Sequence, residues 1–208
     1  MKETLRENRT YFLLQLLFIA VGGFAFLIYV QGAETLWMSD HHMPAMDLFF
    51  KYATMLGEWP GITAGALLLL FYKEKMASLV YALALILNGI LTGMLKFYCF
   101  PLVVRPSQFF PAHIKLNFVD GMEILRQYSF PSGHTSTAFA MMLVLCMYFT
   151  KSCQRLLFFG LAVLVALSRV YLLQHFYRDV YAGAILGSVV ALLVFTAVKN
   201  WVPNHRQK

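Results

Sequence analysis

Runs of about 20 predominantly apolar residues, the length an α-helix needs to cross a bilayer, recur from one end of this chain to the other. They are read as Tyr11 to Gln31, Tyr52 to Tyr72, Met76 to Leu95, Gly133 to Phe149, Leu156 to Leu173 and Val180 to Val198. A soluble domain has no use for so many segments of this kind. Of its 208 residues 60% are hydrophobic and only 13% charged, against a roughly 45–50% apolar share in soluble domains. The expected fold class is an all-α membrane protein. Its six transmembrane helices form one domain over residues 1–208, because no repeat, low-complexity tract or Gly/Ser-rich linker divides the chain.

Charge orients the bundle. If the first helix enters from the cytoplasm, the inner segments carry ten basic side chains against three acidic ones, while the outer segments balance at seven each. The formal surplus of +7 then lies wholly inside, as the positive-inside rule requires, and both termini are expected in the cytoplasm. Topology and anionic headgroups account for the basic balance, and no nucleic-acid partner is called for. Lys2, Arg6 and Arg9 ahead of the first run resemble a signal peptide, but the run exceeds the roughly 7–15 residues of a signal core. Cys99, Cys146 and Cys153 offer no pair on the outer side, so reduced packing thiols are expected.

Three strings on the expected outer side place costly cations and imidazoles beside apolar segments. The first is Lys96 with Arg105-Pro106, the second Pro131-Ser132-Gly133-His134, the third Ser168-Arg169 with His175 and Asp179. His175 and Asp179 stand four positions apart, close enough on a helix or its first turn for the carboxylate to fix one ring nitrogen and leave the other free to attack. A buried ion pair tying helix ends together would look the same. Arg169 favours chemistry, since a guanidinium can grip two phosphate oxygens in one plane. Ser168 caps or packs.

Pro131 suits the first turn of a helix, and Ser132 with Gly133 would present unpaired backbone N–H groups to an anion at its positive end. His134 beside them can carry a proton to a leaving oxygen and take one back from water. Lys96 and Arg105 would complete a cationic cup, with headgroup snorkelling as the other reading of Lys96. Phe109, Phe110, Ile114 and Phe118 suit a surface-lying segment between Lys96 and Ser132 that grips a lipid. Asp40, His41 and His42 are too crowded to converge on a metal and are read as a solvated loop, while Asp120, Glu123 and Arg126 stay undecided.

In these strings the chain resembles the type 2 phosphatidic acid phosphatase superfamily, which also contains vanadium haloperoxidases. The second and third parts of the family signature are present without gaps, with five residues between Arg169 and His175 and three between His175 and Asp179. The eight residues between Lys96 and Arg105 exceed the family spacing, which makes Lys96 the weakest match. The resemblance implies that His175 becomes phosphorylated, that Asp179 orients it and that His134 is the acid. Lys96, Arg105, Ser132, Gly133 and Arg169 would hold phosphate. It further implies a bacterial inner-membrane lipid phosphatase that needs no cofactor or metal and whose site faces the exterior. Undecaprenyl diphosphate, phosphatidylglycerol phosphate, phosphatidic acid and lipid A phosphates are substrates of similar enzymes, and the motifs touch only the phosphate that these share. A transporter of a phosphorylated lipid or solute would instead place its charges near the midplane of repeated halves. A vanadate-dependent oxidase would use the same cup, but the membrane-spanning build points to the phosphatase branch.

Overall fold

The computed structural model describes residues 8–28, 30–71, 75–149 and 151–201. Several charges behind the expected sidedness, among them Lys2, Arg6, Lys73, Arg206 and Lys208, lie outside these residues, as do both termini. The helices in chain order are α1 (Arg9–Ile28), α2 (Ala33–Asp40), α3 (Pro44–Ala53), α4 (Trp59–Phe71), α5 (Lys75–Met94), α6 (Pro106–Phe109), α7 (Gly133–Tyr148), α8 (Ser152–Tyr171) and α9 (Tyr177–Trp201). A 3₁₀ turn, Thr54–Gly57, follows α3, and a π-helical turn, Leu95–Cys99, closes α5.

The protein is all-α. Among the described residues, four helices are long and apolar enough to cross a membrane: Arg9–Ile28, Lys75–Cys99, Ser152–Tyr171 and Tyr177–Asn200. The bent pair Pro44–Gly57 and Trp59–Phe71 makes a fifth if taken as one span. Two of the six expected runs therefore differ from simple spans. Tyr52 to Tyr72 is broken at Glu58 with a bend of 54°. Pro60 supplies no backbone N–H for a helix continuing from α3, and it suits the first turn of a new one. Gly57 lies so close to α7 that a Cβ there would stand 2.9 Å from the His134 carbonyl oxygen. The run from Gly133 is a helix of 16 residues, about 24 Å at roughly 1.5 Å per residue. Every residue from Ala138 to Met147 on it is buried.

Apolar residues face outward as lipid-solvated surfaces do. Helix α1 buries only Tyr11, Gln15 and Gly22 and exposes Leu13, Leu17, Val21, Phe24 and Leu27. Between helices that are all apolar, close approach rather than water exclusion drives association, and small residues permit it. Gly183 and Gly187 of α9 form such a small-residue pair against α7. A Cβ on Gly187 would stand 2.0 Å from the Ser136 carbonyl oxygen, and one on Gly183 2.6 Å from that of Ser132. This contact ties the helix that carries His134 to the helix that carries Asp179.

Candidate active site

The third string is held by two helix ends meeting at a corner. Helix α8 ends at Tyr171, and its C-terminus is closed by Gln174 N–H donating to the Arg169 carbonyl (3.0 Å) and Leu173 N–H to that of Val170 (3.0 Å). This is the bonding of a Schellman cap, with Leu173 in the left-handed position at φ 54°. The next amide, His175 N–H, also reaches the Arg169 carbonyl, at 3.2 Å. The spacing from Arg169 to His175 is thus that of one helix cap.

Helix α9 begins two residues later. Asp179, in its first turn, accepts the Phe176 N–H on Oδ2 at 3.1 Å, the backward half of a capping box. The same oxygen accepts Ser129 Oγ–H at 2.5 Å and stands 3.5 Å from His175 Nδ1. Ser129 Oγ is 3.4 Å from that nitrogen. The carboxylate therefore works on the ring together with Ser129 rather than through one short bond of its own. The other nitrogen, Nε2, faces Arg105 Nη1 at 3.3 Å.

The first string reaches this corner by way of the loop before α7. Arg105 N–H donates to the Arg126 carbonyl (2.8 Å) and Ser129 N–H to that of Val103 (3.0 Å), so the two stretches brace each other. Arg105 Nε donates to the Gln127 carbonyl (2.9 Å), and Nη1 to that of Gln174 (2.9 Å). Lys96, in the π-helical turn, donates from Nζ to the Tyr128 carbonyl at 2.9 Å. Such turns concentrate at functional sites. The undecided trio serves through its backbone: carbonyls of Asp120, Glu123 and Arg126 accept from Lys51 Nζ, Gln174 Nε2 and Arg105 N.

In the second string, Ser132 is buried and accepts Thr135 Oγ1–H at 3.0 Å, and its N–H, expected to be open to an anion, is instead used on the Asp179 carbonyl at 2.9 Å. Intrahelical bonding starts with Ser136 N–H to the Ser132 carbonyl, leaving the amides of Gly133, His134 and Thr135 without an intrahelical acceptor. A Cβ on Gly133 would meet only Thr92 Cγ2, at 3.7 Å. Arg169 Nη1 donates to Thr54 Oγ1 at 2.8 Å, and its buried Nε has no hydrogen-bond partner among the described residues. Ser168 Oγ donates to the Val165 carbonyl within its own helix, a packing role.

Electrostatically the strings form one site. Burial, and then the charges of Arg105, Arg169, Lys96 and His134, hold the His175 imidazole well below the ordinary range. The ring is neutral, with a lone pair available for attack. Three groups in the site lie outside the strings: Ser129, Thr54 and Glu58, whose Oε1 is 2.8 Å from His134 Nε2. A carboxylate in an apolar run was the available signal for Glu58. His41 and His42 serve elsewhere, stacked on Trp37 and Tyr171. All three cysteines are free, and only Cys146 is buried.

Residues 77–203 match the PAP2 superfamily. The chain belongs to that superfamily. As a PAP2 phosphatase it is a metal-independent hydrolase of phosphomonoesters and a membrane lipid phosphatase. The chain is 24% identical over 177 residues to a lipid A 4'-phosphatase of Porphyromonas gingivalis, covering 82% of this chain and 73% of that protein. The crystal structure of Aquifex aeolicus LpxE superposes with a TM-score of 0.66 at 26% identity, over 78% of this chain and 92% of that one. The fold is shared with a transmembrane PAP2-type phosphatidylglycerolphosphate phosphatase of Bacillus subtilis, at a TM-score of 0.65 and 24% identity over 96% of this chain and 99% of that one. Lys96, whose spacing to Arg105 is the longer one, reaches the Tyr128 carbonyl beside Ser129.

Proposed function

We propose that this PAP2 phosphatase removes a phosphate from a membrane lipid at the outer face of a bacterial inner membrane, through a phosphohistidine on His175. The observation that carries the reading is the division of the His175 ring, with Nδ1 backed by Ser129 and Asp179 and Nε2 turned to Arg105. Nε2 attacks phosphorus while Arg105, Arg169, Lys96 and the amides at the start of α7 neutralise the phosphoryl oxygens. His134 gives its proton to the leaving oxygen, and then takes one from the water that cleaves the phosphohistidine. Lys96, Arg105, Ser132, Gly133 and Arg169 are the phosphate-holding set.

The lipid reading rests on the membrane-spanning build and on a cavity of about 300 Å³ whose walls are Ala25, Phe26, Val30, Phe176 and Tyr177 with Gln31, Glu34 and Arg178 among them. Phe176, which lines it, is the residue after His175, so the cavity adjoins the segment that carries the proposed nucleophile. Lipid A and phosphatidylglycerol phosphate, the substrates named for the similar proteins, are the first to try, followed by undecaprenyl diphosphate and phosphatidic acid. Six crossings follow if the bent pair and α7 each count as one, which puts both termini on one side, and the surplus of basic residues makes that side the cytoplasm.

The test is phosphate release from this panel in detergent, with EDTA present, and inhibition by vanadate, whose five-coordinate form resembles the transition state. Turnover in EDTA with loss of activity in vanadate is the expected result. Dependence on added Mg²⁺, or phosphate release undiminished in His175→Ala, would sink it.

A further inference from the structure

Glu58 sits in the break between α3 and α4 with an extended backbone, φ −115° and ψ −171°. Its N–H donates to the Met55 carbonyl and its own carbonyl accepts from Ile62 N–H, at 3.1 and 3.0 Å. The backbone is therefore fixed on both sides of the bend. Gly57 just before it lies against the backbone of His134, and the Glu58 carboxylate reaches His134 Nε2 at 2.8 Å. Both side chains are about one-third exposed, at 35% and 31%, so the pair is reachable from the surface. A carboxylate can only accept, so Nε2 carries the proton of this bond, and Nδ1 is left as the atom whose proton comes and goes.

We propose that Glu58 is a positioning residue for the acid–base histidine, resting on the phosphohistidine reading above. It holds the Nε2–H tautomer of His134 and stabilises the imidazolium, so that Nδ1 performs both proton transfers. In the first step the His175 Nε2–P bond forms, the P–O bond to the lipid breaks, and the leaving oxygen takes the proton from His134 Nδ1. In the second step a water oxygen bonds to phosphorus, the P–Nε2 bond breaks, and the water proton returns to His134 Nδ1. The two histidines are thus oriented through opposite nitrogens: His175 from Nδ1 by Ser129 and Asp179, and His134 from Nε2 by Glu58.

The experiment compares wild type, Glu58→Gln, Glu58→Ala, His134→Ala and the Glu58→Gln/His134→Ala double variant. Two substrates are used: an alkyl phosphate lipid and a phosphate ester of an acidic phenol, whose leaving group needs little protonation. Glu58→Gln keeps size and removes charge, and it is expected to lower kcat on the alkyl phosphate about 10- to 100-fold with KM within about twofold. Phosphohistidine formation from the phenol ester is expected to stay within about threefold of wild type. Added to His134→Ala, it should cost no more than about a further twofold, because the two act as a unit. Equal losses on both leaving groups, multiplying losses in the double variant, or a change in KM alone would each overturn the proposal. Wild type that forms no phosphohistidine would instead sink the underlying function, a result separable from these. If Glu58→Ala unfolds, the Gln variant still decides.

Discussion

Ser129 belongs to none of the signature strings, yet its hydroxyl stands 2.5 Å from Asp179 Oδ2 and 3.4 Å from His175 Nδ1. Replacing it with alanine removes one hydrogen bond of roughly 1.4 kcal/mol, so Ser129→Ala should lower kcat about tenfold. KM should change little, because the phosphate-holding groups stay, and steady-state kinetics on one lipid phosphate checks this. His175 gives a pH prediction. Its attacking form is neutral, and the site holds its proton affinity well below the ordinary imidazole range. Lowering the pH through that range should therefore leave the ring unprotonated, with no loss of attack until the pH falls further. Single-turnover phosphohistidine formation from a phenol ester, between about pH 5 and 7, reads this directly, and a fall centred near about 6.5 would contradict it. At this scale the sequence reveals what one helix end sets. Arg169 to His175 is a cap and His175 to Asp179 is the first turn of the next helix, so both spacings can be read along the chain. Ser129, Thr54 and Glu58 come from other segments, and no spacing announces them.

At the scale of elements, α7 against α9 is the contact that sets the site. A Cβ on Gly187 would stand 2.0 Å from the Ser136 carbonyl oxygen, backbone that cannot swing aside. Gly187→Ala should cost roughly 1–3 kcal/mol by forcing the helices apart, and catalysis should fall with it. Gly160 is the control, since a Cβ there meets nothing within 4 Å. Gly160→Ala should be neutral or stabilising by up to about 1 kcal/mol through helix propensity. Thermal unfolding midpoints in detergent, read beside turnover, separate the two. Helix positions were largely legible because apolar length fixes them. The bend at Glu58 was not, because a run of hydrophobic residues does not reveal where a neighbouring backbone will press on a glycine. Nor was the burial of α7 legible, since hydropathy cannot tell lipid from protein as the apolar surroundings.

For the whole molecule, the cysteines provide native probes of sidedness. Cys99 ends the π-helical turn on the proposed outer side, Cys153 lies in the first turn of α8 on the proposed inner side, and both are exposed, whereas Cys146 is buried. In single-cysteine variants an impermeant thiol reagent should label Cys99 in intact cells and Cys153 only after permeabilisation. A cysteine placed between Phe109 and Ile114 should behave as Cys99 does, and a reporter fused after Lys208 should be cytoplasmic. The reverse pattern would invert the sidedness. The membrane class could be read from the sequence, whereas length alone finds four to five spans among the described residues, because a bent pair and a short apolar helix fall outside the rule of length. The glycine contact has one more consequence. Because Gly183 and Gly187 press on main-chain atoms, the placement of His134 relative to Asp179 is set there without any large side chain. Apart from Thr54, Glu58, Lys96, Arg105, Ser129 and Ser132, which serve the site, the remaining positions of the bent α3–α4 segment and of the loop from Lys96 to Ser132 are left as separate parts, free to diverge. A lineage could therefore trade one lipid for another by rewriting those parts while the hydrolytic centre is inherited intact.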